Sequence, residues 1–118
     1  MKKRGGFFMF GDKIAKIPKL VEKKKFEPLI AMASDKKMDV RLAAIAGLGQ
    51  VDVDEAYNAL VPMLRENEPE VRIAAGKALA TLGRPSARVH IEHQIHAEKD
   101  AKVAEELKKS LSVLHTKE

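Results

Sequence analysis

Residues 60–80, LVPMLRENEPEVRIAAGKALA, decide the fold, because they repeat residues 29–49, LIAMASDKKMDVRLAAIAGLG, at an offset of 31 without a gap. In both copies an apolar segment is followed by a polar turn, and the turn by a valine, an arginine and a pair of alanines. Apolar residues recur every three or four positions on each side of the turn, which is the spacing of one face of an α-helix. Repetition at such a period is typical of stacks of paired helices.

A third, more divergent copy follows the first two. Val103 takes the position of Val71 after a one-residue insertion in the turn, and leucines continue its apolar stripe. Each copy therefore predicts two helices. We predict a basic N-terminal segment with a short capping helix, residues 1–25, and a repeat domain, residues 26–118, with repeats at about 26–51, 54–83 and 85–115.

Prolines, glycines and aspartates predict the helix ends of the middle repeat. Pro69 suits the first turn of a helix, because the N–H that proline lacks has no partner there. Gly83 is predicted to end that helix. Asp52 or Asp54 is predicted to cap the preceding helix with its carboxylate. Pro62 lies inside the preceding helix, where it is predicted to release a carbonyl and cause a bend.

The chain resembles the HEAT repeat family, in particular the short variety found in phycobilisome-lyase-like proteins of bacteria and archaea. The resemblance covers roughly residues 26–114 and rests on Glu68-Pro69-Glu70-Val71-Arg72-Ile73-Ala74-Ala75 and Asp39-Val40-Arg41-Leu42-Ala43-Ala44. It implies an all-α, right-handed α-α superhelix of the armadillo-like kind, with about three helix pairs and an N-terminal helical cap.

The resemblance also implies a ladder between repeats, formed by the acidic residue and the arginine beside each valine. Arg41 and Arg72 match the arginine position, whereas Ala104 stands there in the third copy. The ladder is therefore expected to end at the third repeat.

Charge is distributed unevenly along the chain, whose net charge is +5. Residues 1–25 carry a net +7, so the remainder is slightly acidic. Cysteine is absent, which excludes disulfides, thiolate nucleophiles and cysteine metal sites. The apolar run between Gly5 and Gly11 is too short to span a membrane. We expect a protein of the cytoplasm, with no cofactor.

The first functional interpretation is a protein-binding or scaffolding module that uses the concave face of the stack. On each second helix, this face is expected to lie opposite the buried stripe. Leu42 and Ile73 are the strongest candidates for ligand contacts, and their alternative role is packing between repeats. The full set of predicted partner-binding residues is Leu42, Ile45, Ile73, Lys77, Glu105 and Lys109.

The second interpretation is binding of nucleic acid or an anionic surface through the basic N-terminal segment, since lysine and arginine neutralise phosphates. Its predicted phosphate contacts are Lys2, Lys3, Arg4, Lys13 and Lys16. The aromatic residues Phe7, Phe8 and Phe10 either cover the edge of the first repeat or form an association segment for a partner or a second copy.

The third interpretation, a small lyase-like accessory module, follows from the family resemblance alone. No nucleophile stands beside a plausible base, so no catalytic residues are predicted and we expect a protein that is not an enzyme. His90, His93 and His96 are spaced by three, which makes them weak candidates for a zinc or nickel site. Their alternative role is a solvated outer helix face, and we predict no metal.

Overall fold

The computed structural model describes residues 13–117, with side-chain surroundings up to residue 114. Every regular element in that part of the chain is helical, which confirms the all-α prediction. Beyond the helical residues 13–15, the helices are α1 Ile17–Glu22, α2 Phe26–Met32, α3 Met38–Leu48, α4 Asp54–Met63, α5 Pro69–Leu82, α6 Ala87–Ala97 and α7 Ala101–Lys117.

The helices form three packed pairs, α2–α3, α4–α5 and α6–α7, and each pair contacts the next one along the chain. The second helices α3, α5 and α7 pack against one another in sequence, and α1 lies against α2 and α3. One continuous apolar core runs through all three pairs, because each repeat contributes the same buried stripe. Its largest fully buried side chains include Leu29, Leu48, Leu60, Leu79 and Leu107.

Proline and glycine set the helix ends of the middle repeat largely as predicted. Pro69 is the first residue of α5, and Gly83 follows its last residue with φ 76°, a left-handed conformation that favours glycine. Pro62 lies one residue before the end of α4. The chain tightens there into a turn in which Arg65 N–H donates to the carbonyl of Pro62. Pro62 therefore lies inside the helix, as predicted, in its last turn.

The prediction that Asp52 or Asp54 caps α4 is wrong. The residue at the cap position is Val53, and no side chain bonds the free N–H groups there. Both carboxylates accept instead from Arg84, at 3.1 Å and 2.6 Å, and the guanidinium lies 5.4 Å from the centre of the Tyr57 ring. Pairing with the arginine replaces capping, and it joins the start of α4 to the turn before α6.

Two glycines set the spacing of the second helices. A Cβ on Gly49, just after α3, would lie 2.8 Å from the Cα of Ala78 on α5. A Cβ on Gly76 of α5 would lie 2.6 Å from a terminal methyl of Leu107 on α7. Both distances are below van der Waals contact, so the close approach of neighbouring repeats depends on the missing side chains.

Candidate functional site

The best-defined polar site is an arginine fork between the second and third repeats. Arg72 donates through Nε and Nη2 to both carboxylate oxygens of Glu98, at 3.0 Å and 2.8 Å. Its Nη1 donates to the carbonyls of Glu66 and Asn67, at 2.8 Å each. Glu98 is only 3% exposed and also accepts from the side-chain amide of Gln94. The fork therefore joins α5 to the turn between α6 and α7 with a buried, well-satisfied ion pair.

The equivalent contact between the first and second repeats is looser. Arg41 Nη1 lies 3.5 Å from Glu68, and its buried Nε has no partner among the described residues. The structure thus places both predicted arginines between repeats. The predicted acidic partners are wrong, because Asp39 and Glu70 are exposed and the carboxylates come from the turns at Glu68 and Glu98.

The Glu98 contact predicts a specific acid sensitivity. Burial raises the pKa of Glu98, but hydrogen bonds from Arg72, Gln94 and the backbone of Asp100 outweigh it and hold the pKa below its ordinary value of 4.5. A lowered folded-state pKa stabilises the fold above 4.5, and this contribution is lost as pH falls through the folded value.

Glu98→Gln should therefore cost about 2 kcal/mol near neutral pH and much less in acid. Urea unfolding of both proteins at several pH values measures this difference. If the difference in unfolding free energy between wild type and Glu98→Gln stays the same from neutral to acid pH, the ion pair contributes no pH-dependent stability.

The exposed surface of α3, α5 and α7, here called the second-helix face, contains most of the predicted partner contacts. Leu42 and Ile73 are half-buried and pack against the core. Ile45 is completely buried, because it occupies on α3 the position that Gly76 occupies on α5, facing the next second helix. Ile45 therefore has no surface for a partner and does not belong to the predicted site.

Lys77, Glu105 and Lys109 are exposed, as a binding role requires. Two of them border an open groove of about 450 Å³ between α5 and α7. This inner groove is lined by Lys77, Ala80, Thr81, Glu106, Lys109, Ser110 and Val113. Glu105 is not among its lining residues.

The inner groove combines an apolar surface with a basic border. Val113 is 49% exposed, which is unusual for a large apolar side chain in this structure. Lys109 donates to Glu106 at 3.2 Å. That hydrogen bond, with the nearby charges of Lys77 and Lys102, holds the pKa of Glu106 below its ordinary value. The surroundings of the groove are therefore positive, although Glu106 itself is acidic.

Sequence reasoning missed Val113, Thr81 and Ser110 as groove residues. Counting positions around one helix identifies which residues point away from its buried stripe. It does not give the separation of α5 and α7, which small residues such as Gly76 control. The groove lies between two helices, so its lining depends on that separation.

The predicted phosphate-contact set divides between described and undescribed residues. Lys13 is paired with Asp35 at 2.7 Å, and Lys16 is exposed. The other predicted members of the basic and association segments lie outside the described residues: Lys2, Lys3, Arg4, Phe7, Phe8 and Phe10.

The three histidines lie on the exposed side of α6. His90, His93 and His96 are all solvent-accessible. Between residues 13 and 117, no three histidine, cysteine, aspartate or glutamate side chains are grouped so as to hold a metal ion. A separate finding is that none of the described helices is long and apolar enough to cross a membrane.

No curated protein matches the chain. A family model described as HEAT repeats matches residues 26–112, which cover all three helix pairs. Proteins of this family generally mediate protein interactions and are generally not enzymes. The match spans well over half of the sequence, and together with the stacked helix pairs and the arginine contacts between them it shows that the chain belongs to the HEAT repeat family.

Proposed function

We propose that the chain binds another protein through the second-helix face, with the inner groove as the central contact. The observation that carries this proposal is the inner groove itself, which is lined by half-exposed Val113 and Lys109 of α7 and by Lys77 of α5. Exposed apolar surface with polar residues around it is typical of interaction sites. A scaffolding role agrees with the general function of the family.

The groove chemistry favours a partner segment that carries an apolar side chain next to acidic ones. The apolar side chain would cover Val113, and carboxylates would pair with Lys77 and Lys109. A groove of about 450 Å³ holds only one or two side chains. The partner must therefore also lie across other parts of the second-helix face, because specific interfaces bury about 1,200–2,000 Å² in total.

Two exposed valines provide a matched test. Val113 borders the inner groove, whereas Val89, which is 66% exposed, lies on α6 outside it. A partner captured by the wild-type chain is purified and its affinity for Val113→Glu and Val89→Glu is measured by calorimetry. We expect Val113→Glu to weaken binding at least about tenfold, since a carboxylate replaces an apolar contact in a buried interface, and Val89→Glu to bind like wild type.

Equal loss of binding in both variants, or in neither, would contradict the proposal. Binding of nucleic acid through the basic segment would give a different result. It would persist in Val113→Glu and weaken steeply with added salt, because phosphate contacts release counterions.

A further inference from the structure

We infer that the end of the stack formed by α6 and α7 pairs with the same end of a second copy of the chain. The surface concerned is an open groove of about 590 Å³ whose lining residues all belong to α6 and α7. This end groove is lined by Val89, Glu92, His93, Ile95, His96, Lys108 and Leu111. It is separate from the inner groove, which lies on the other side of α7.

The end groove has an apolar centre that the chain itself leaves uncovered. Val89 is 66% exposed, the highest value for a large apolar side chain in the described part of the chain. Ile95 and Leu111 are half-buried beside it and pack against the core. The last repeat thus exposes the edge of the core that a neighbour covers in the other repeats.

The second helix of a further repeat cannot approach α7 as closely as α7 approaches α5. When buried Leu107 of α7 is aligned with buried Ala75 of α5, Lys108 takes the position of Gly76. Gly76 is the residue that allows Leu107 to approach α5 closely. A lysine at that position blocks the same approach, so the occupant must fill the groove in another geometry.

The charges at the end groove match those of a second copy related by a two-fold axis. Glu92 is on α6 and Lys108 is on α7, with the apolar side chains lining the same groove. In a two-fold pair, each surface contacts the same surface of its partner, so α6 of one copy can lie along α7 of the other. Glu92 of each copy then meets Lys108 of the other, and the apolar centres cover each other.

Such a dimer is weak, because the exposed face of two short helices is small compared with that of a stable interface. It also leaves both inner grooves open. A dimer would therefore present two separate partner-binding surfaces.

Sedimentation equilibrium of the full chain at pH 8 tests this inference. We expect the wild type to dimerise in the micromolar range and Val89→Glu to be monomeric at the same concentrations. Val113→Glu, the matched control at the other groove, should dimerise like wild type. Circular dichroism verifies that each variant keeps its helical content.

A charge exchange makes the test specific to the proposed pairing. Glu92→Lys and Lys108→Glu should each weaken dimerisation about tenfold, since each places like charges opposite each other, and the double exchange should restore it. A wild type that stays monomeric up to several hundred micromolar overturns the inference. So does a dimer that Val89→Glu leaves intact, or a double exchange that restores nothing.

Discussion

Arg72→Ala should destabilise the chain by about 3–5 kcal/mol, whereas Arg41→Ala should cost about 1 kcal/mol or less. The two arginines occupy the same place in successive repeats, but only Arg72 forms a buried fork, and its removal leaves the carboxylate of Glu98 buried without a counter-charge. Among the described residues, the ion-pair partner of Arg41 is Glu68, at 3.5 Å and partly exposed to solvent. Urea unfolding of the two variants and the wild type measures both costs.

Arg72→Lys separates charge from geometry. Lysine keeps the positive charge near Glu98, but it has no planar fork for the two carboxylate oxygens and the two turn carbonyls. We expect Arg72→Lys to recover less than half of the lost stability. Equal costs for Arg72→Ala and Arg41→Ala would mean that the fork does not hold the second and third repeats together.

Gly49→Ala should cost about 2 kcal/mol or more, and Gly76→Ala should cost less, about 1 kcal/mol. The new Cβ on Gly49 would meet main-chain atoms, 2.8 Å from the Cα and 3.0 Å from the carbonyl oxygen of Ala78. Only a separation of α3 from α5 relieves that contact. The new Cβ on Gly76 meets a methyl at the end of the buried Leu107 side chain, which must shift within the core. The gain of up to about 1 kcal/mol for alanine over glycine inside a helix offsets part of that cost.

The double variant Gly49→Ala with Ala78→Gly provides the control. It removes the Cβ of Ala78, which is 2.9 Å from the new methyl, but the main-chain contacts remain. We therefore expect only partial recovery, measured by thermal unfolding. If Gly49→Ala alone has the same unfolding temperature as wild type, α3 and α5 are not packed as closely as the 2.8 Å contact indicates.

Local signals that recur at the repeat period predicted the fold well. The period of 31, the proline at the start of α5 and the glycine after it are properties of short segments, and the structure keeps them. The ion pairs were predicted less well. The acidic partner of each arginine depends on which turn lies beside it after the repeats stack, and Glu68 and Glu98 are not fixed by the repeat pattern.

The candidate site shows the same division. The outward positions of Lys77 and Lys109 follow from counting around a single helix, and the structure exposes both. The same count predicts that Ile45 is exposed, but Ile45 is buried because the next second helix covers that side of α3. Val113 was not predicted, because it lines a groove between two helices and the distance between those helices cannot be read from the sequence.

Hydrogen–deuterium exchange of the chain, alone and with the purified partner that it captures, tests the proposed binding face most directly. Amide protection reports which backbone segments the partner stabilises. We predict increased protection in residues 73–82 of α5 and 105–114 of α7, with α4 and α6 unchanged. Protection confined to α4, α6 or residues 1–12 would contradict the central claim that this repeat stack binds its partner through the second-helix face.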